Sequence, residues 1–194
     1  MSNPRRNHIQ SYLQTLQNVL NEVPIDEIEN VLRIFEEVYE RDGTVFICGN
    51  GGSAATASHW VCDFSKGTNA PHTRRFKMIG LNDNLPMLTA YANDVDYTQV
   101  FAEPLRTYAK AGDAVVLITA SGNSPNILEA AKAAREMGVV SLALVGFGGG
   151  KLAALVDHKV LVQCHEYGPV EDLHMILDHI VSLHMRAVIA QNRQ

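Results

Sequence analysis

Over residues 9–40 the apolar positions recur at three- and four-residue spacing: Leu13, Leu16, Val19 and Leu20, then Ile28, Val31, Leu32, Phe35 and Val38. That period predicts amphipathic helix, and the break at Val23-Pro24 divides the run into two helices. After Asp42-Gly43 the pattern changes. A short β-branched and apolar run over residues 44–48 ends in Gly49-Asn50-Gly51-Gly52-Ser53, and an alanine-rich stretch over 54–64 follows. This reads as strand, glycine-rich turn and helix.

The same succession returns further on. A β-branched run over 114–119 meets Ser121-Gly122-Asn123-Ser124 and then a helical pattern over 127–137. Residues 77–81, 140–145 and 160–163 read as further buried strands, and a long helix over about 170–190 closes the pattern. Strands alternating with helices imply an α/β fold, a parallel sheet covered by helices on both faces, with ligands bound beyond the carboxyl ends of the strands. A chain of 194 residues fits one domain, here an N-terminal helical part (1–42) and an α/β core (43–194).

Composition narrows the partners. With 46% hydrophobic and 19% charged residues the chain is an ordinary globular one. A net charge of −5 argues against an extended nucleic-acid or anionic-membrane surface, so any anion site is a local pocket. Cys48, Cys62 and Cys164 form an odd set without CxxC spacing, the first residues lack the apolar run of a signal peptide, and no run approaches the roughly 20 apolar residues of a membrane span. A cytoplasmic protein with no membrane and no nucleic-acid partner is expected. Cys48 and Cys62 are expected to be packing residues rather than nucleophiles.

The two loops carry the chemistry. A strand that runs into Gly49-Asn50-Gly51-Gly52-Ser53 and then a helix offers close backbone approach, unpaired N–H groups and the positive end of a helix dipole, which are the requirements of an anion site. Ser121-Gly122-Asn123-Ser124 repeats the arrangement with more hydroxyls, and Ser124 is placed both to cap its helix and to donate to a phosphate. Either loop alone is equally well a tight turn; two on neighbouring strand ends make a pocket. No Gly-Lys-Ser/Thr follows, and Ala54 stands at the last glycine position of GxGxxG, so a nucleotide site is disfavoured.

Cys48-Gly49-Asn50-Gly51-Gly52-Ser53, His59, Ala92-Asn93-Asp94, Ser121-Gly122-Asn123-Ser124 and His179 together resemble the sedoheptulose 7-phosphate isomerase (phosphoheptose isomerase) family of SIS-domain proteins, over nearly the whole chain. The resemblance implies a three-layer, flavodoxin-like fold with a five-stranded parallel sheet, and a homotetramer with active sites at subunit interfaces. It also implies sugar-phosphate contacts from Asn50, Gly51, Gly52, Ser53, Asn93, Asp94, Thr119, Ala120, Ser121 and Ser124, with Ala120 standing where the family often has threonine.

By the same resemblance the metal ligands align with His59, Asp63, Glu171 and His179, with zinc as the metal and Glu171 also facing substrate. Two are changed in type, from Glu to Asp at Asp63 and from Gln to Glu at Glu171, and all four remain competent zinc donors. Taken alone, His59 and Asp63 four apart are as readily a surface pair, and Glu171 and His179, eight apart, stand about 80° apart around a helix. His174 and His184 are expected to meet solvent or a subunit interface. The implied roles are Asp63 as base and His179 as acid in an aldose–ketose isomerisation, with the shorter Asp63 and the missing family arginine, for which Lys66 or Arg74-Arg75 are substitutes, putting the sugar in question. The same family includes a non-enzymatic tetramer that binds the replication initiator DnaA. Retention of four ligand-competent side chains favours the enzyme.

Overall fold

A computed structural model describes residues 3–191. Two helices, α1 (Pro4–Asn21) and α2 (Ile25–Glu40), precede the sheet and part at Pro24. Then follow β1 (Thr44–Gly49), α3 (Gly52–Cys62), β2 (Lys77–Gly80), α4 (Leu85–Asp94), α5 (Ala102–Tyr108), β3 (Ala114–Thr119), α6 (Pro125–Met137), β4 (Val140–Val145), β5 (His158–Leu161) and α7 (Tyr167–Gln191). The fifth strand starts two residues before the β-branched run at 160–163, because Leu142 of β4 already pairs with His158.

All strand pairs are parallel and the order is β2-β1-β3-β4-β5. Every residue of β3 is buried, as a central strand covered on both faces requires. One face carries α2, α3 and α7, packed through Phe35, Trp60, Phe64, Leu177 and Val181. The other carries α5 and α6, packed through Leu105, Ile127, Ala130 and Ala134. The chain therefore winds to one side after β1 and to the other after β3, although the two strands are neighbours.

Trp60 and Phe64 are fully buried against Phe35 and Phe76, with ring centroids 4.8 to 5.9 Å apart. Each such side chain contributes about 1.5–3 kcal/mol of burial, enough to fix the rotation of α3 on the sheet. His59 and Asp63 precede these two anchors by one residue each, so they are set about 100° around the helix from the core, on the side toward α7. Beyond Cys62 the helix widens into a π-helical turn, Asp63–Gly67, a distortion that recurs at functional sites.

By length and hydropathy α7 could cross a membrane, yet Val170, Leu173, Leu177, Val181, Met185 and Ile189 on it are buried within this fold. It is a core helix. Helix α1 lies against it, with Tyr12 donating a 2.6 Å hydrogen bond to Asp172, and leaves Ile9 and Leu13 exposed.

Candidate active site

Because α3 and α6 leave β1 and β3 toward opposite faces, the loops that follow these strands diverge and open a crevice, the place where open α/β sheets bind ligands. Gly51, at φ 55°, makes the turn before α3. A cavity of about 150 Å³ lies between the loops, lined by Asn50, Ser53, Thr119, Ala120, Ser121, Ser124, Tyr167 and Glu171, with Ile118 behind them. Hydroxyls, an amide and the N-terminus of α3 converge on it, the donor set that an anion needs.

Its walls are braced. Asn50 and Asn126 exchange two 2.9 Å amide hydrogen bonds, and Tyr97 Oη donates to Asn50 Oδ1 at 3.1 Å. Ser124 occupies the position before α6, but its hydroxyl makes no capping bond; it stands 3.3 Å from Thr119 Oγ1, turned to the cavity. The capping role expected of Ser124 is thus not performed, because its backbone carbonyl and Asn126 Oδ1 meet the N–H of Ile127 instead. Gly52 lets Glu171 approach, since a Cβ there would stand 2.9 Å from that carboxylate.

Further along the same two helices is a second group. His59 Nε2 lies 3.8 Å from Asp63 Oδ2 and 3.7 Å from Asp178 Oδ2, and the rings of His59 and His179 meet edge-on at 5.5 Å. One donor atom from each of His59, Asp63, Asp178 and His179 falls within 4.8 Å of every other. Asp178 is fully buried and neither carboxylate oxygen has a hydrogen-bond partner. Burial, with the Asp63 charge added, pushes its carboxyl up to about 7. Two imidazoles and two carboxylates are suitable donors for zinc, and an orphaned buried carboxylate among them is what a cation would satisfy.

Of the residues expected from sequence, His59, Asp63 and His179 stand together, while Glu171 is held apart on the cavity wall. Asn93 and Asp94 lie exposed at the end of α4, Asn93 donating to Asp94 Oδ1 at 2.7 Å. His174 does not face solvent: it is fully buried in the chain's own core, which drives its imidazole down to about 4. His184 contacts Glu36 of α2 at 2.5 Å. Cys48 is buried and its thiol pushed far up, whereas Cys62, expected to pack, is exposed.

Arg74 is engaged elsewhere, its guanidinium 4.4 Å over the Tyr39 ring and 3.6 Å from Asp42, and Lys66 is exposed. Sequence reasoning passed over Asp178, Tyr167, Asn126 and Arg186, the last sharing with Asp63 and Ser182 a cavity of about 180 Å³. Asp178 alone had a signal, a carboxylate amid the apolar Ile176, Leu177 and Ile180.

The SIS domain family matches residues 9–146. The phosphoheptose isomerase of Mycobacterium tuberculosis is 38% identical over 156 residues, 80% of this chain and 79% of that protein. That of Aneurinibacillus thermoaerophilus is 31% identical, with 96% of each chain covered. Among solved structures, phosphoheptose isomerase GmhA from Neisseria gonorrhoeae superposes with a TM-score of 0.87 at 27% identity, covering 94% of this chain and 98% of that one. A phosphoheptose isomerase from Francisella tularensis gives 0.87 at 25% identity, covering 96% and 100%.

Proposed function

The chain belongs to the SIS domain family and is an aldose–ketose isomerase of phosphosugars; we propose that its substrate pair is sedoheptulose 7-phosphate and D-glycero-D-manno-heptose 7-phosphate. The observation that carries the substrate is a spacing. From Gly52, beside the anion cavity, to His59 the helix rises about 10 Å. An extended seven-carbon chain with its terminal phosphate spans roughly the same distance, at about 1.25 Å per bond along the axis. A phosphate held by Ser53, Ser124 and the N-terminus of α3 sets C1 and C2 beside His59, Asp63 and His179.

In this reading Asp63 takes the proton from one of these carbons and returns it to the other, through an enediolate, while His179 moves a proton at the substrate oxygens. His59, Asp63 and His179, with one further carboxylate, would hold a zinc ion. When bound, zinc supplies polarisation of the carbonyl and stabilisation of the developing negative charge. Thr119, Ser121 and the amide pair Asn50–Asn126 orient the sugar hydroxyls. Homotetrameric assembly in the cytoplasm belongs to the same proposal, supported by the apolar Ile9 and Leu13 that α1 leaves uncovered.

The test is turnover of sedoheptulose 7-phosphate by the purified chain, with zinc added and with zinc chelated. Zinc-dependent formation of the aldose is the expected result. Turnover of a shorter phosphosugar in preference to this one would sink the substrate assignment, and equal rates with and without zinc would sink the metal-assisted step.

A further inference from the structure

We infer that Asp178 supplies the additional carboxylate of the metal group, in the place that the family resemblance gives to Glu171. The inference rests on the metal-dependent reading above and deepens it by naming a ligand.

The packing of α3 on α7 separates the two carboxylates. Gly52 of α3 faces Glu171 of α7, and His59, seven residues on, faces Asp178, also seven residues on. Seven residues advance a helix by about 10 Å and turn it back to within about 20° of its starting direction. Glu171 and Asp178 therefore lie on one stripe of α7, Glu171 at the level of the anion cavity and Asp178 at the level of the histidines. Helix pitch sets their separation, and the packing of α7 on α3 sets the level each one occupies.

Burial supplies the second argument. The Asp178 side chain is fully enclosed, both its oxygens lack hydrogen-bond donors, and His59 Nε2 at 3.7 Å is beyond bonding distance. A carboxylate removed from water without partners is an unfavourable arrangement that a bound cation reverses. Donor atoms around a tetrahedral zinc with bonds of about 2.0–2.1 Å stand about 3.3 Å apart. The 3.7 Å and 3.8 Å separations here, within a group spanning 4.8 Å, close to that value by small side-chain rotations.

Chemistry gives the consequence. His59, Asp63, His179 and Asp178 form a two-histidine, two-carboxylate set, all four of them donors of the kinds that zinc takes. Asp63, at the rim and half-buried where Asp178 is enclosed, is the carboxylate of the set that a substrate can reach.

The experiment is zinc titration of the full-length, metal-stripped chain against a chromophoric chelator, without any sugar, comparing the parent with Asp178→Asn and Glu171→Gln. Asp178→Asn is expected to weaken zinc by about 100-fold or more, at or beyond the upper end of what removing an outer-shell partner costs, and Glu171→Gln by less than about threefold. Melting of the metal-free proteins shows whether each variant folds. Should Asp178→Asn fail to fold, a zinc-loaded crystal structure of the parent decides, with an Asp178 oxygen expected about 2.0–2.2 Å from the metal. Unchanged zinc affinity in a folded Asp178→Asn, a zinc-bound structure with Glu171 in that place, or a parent that binds no zinc each overturns the inference. Since no sugar enters the titration, failure of the heptose assignment leaves the result untouched.

Discussion

Asn50 and Asn126 close a two-bond amide ring, each donating to the other at 2.9 Å across the switch point of the sheet. One follows β1 and the other stands in the first turn of α6, so the pair ties the two loops of the cavity to one another. Asn126 is buried, with 3% of its surface exposed, and Asn50 is half-buried. Replacing Asn126 by Leu removes both bonds of the ring and leaves Asn50 only the hydroxyl of Tyr97, at a cost of about 1–3 kcal/mol for the unpaired amide N–H. We expect a lower melting temperature and a raised KM for the sugar phosphate, with kcat reduced less. Unaltered KM would remove Asn50 from the list of substrate contacts.

Gly122 and Gly148 separate two effects of adding a methyl group. Both have positive φ, 64° and 78°. At Gly148 nothing lies within 4 Å of a new Cβ, so Gly148→Ala carries only the backbone strain, about 1–2 kcal/mol. At Gly122 the Cβ would come within 2.0 Å of the Gly149 carbonyl oxygen, and Gly122→Ala is expected to cost more than about 4 kcal/mol. Urea denaturation of the two variants should show this order. Equal losses would mean that the 119–124 loop relaxes freely, contrary to the close contact described.

His174 gives a pH dependence with a definite sign. Burial lowers its pKa from 6.5 to about 4, so the unfolded chain takes up a proton at higher pH than the folded one. Its contribution is fully present above about pH 6.5 and is lost as the pH falls through 4, amounting to about 3 kcal/mol. The stability advantage of the parent over His174→Gln should therefore shrink on acidification between those limits. A difference that stays constant with pH would show that His174 is not held neutral in the folded state.

His179 and Ser124 should divide the kinetic constants. His179 is exposed, so His179→Ala is expected to melt within about 0.5 kcal/mol of the parent. As the proposed acid it should lose about 10²–10⁴ in kcat. Ser124→Ala removes one cavity hydroxyl and should raise KM about tenfold, equivalent to one hydrogen bond. Steady-state kinetics on one substrate reads both. If His179→Ala turned over normally, proton transfer would have to be reassigned among Asp63, His59 and Asp178.

Most of the elements were legible because their signals are local. The three- and four-residue period broken at Pro24, the β-branched runs of β1 and β3, and the glycine- and serine-rich turns after them each depend on near neighbours in the chain. Pairing of the two loops also follows from their likeness, and both do line one cavity. Strand boundaries at the sheet edge were less legible: β5 starts at His158, a residue recruited by pairing with Leu142 rather than by its own propensity.

The sequence by itself determined which side chains share a helix face and which loops can receive an anion. Only the tertiary structure decided what each face meets. Glu171 and Asp178 lie on nearly one stripe of α7, and nothing in that stripe says which of them stands level with His59. The choice is made by how far α7 slides along α3, and that offset is set by the packing of Trp60, Phe64, Leu177 and Val181 over the sheet. The same packing buries His174 and Asp178 while leaving His59 and His179 at the surface. Burial depends on partners distant in the chain, so periodicity marks the face and the assembled core assigns it.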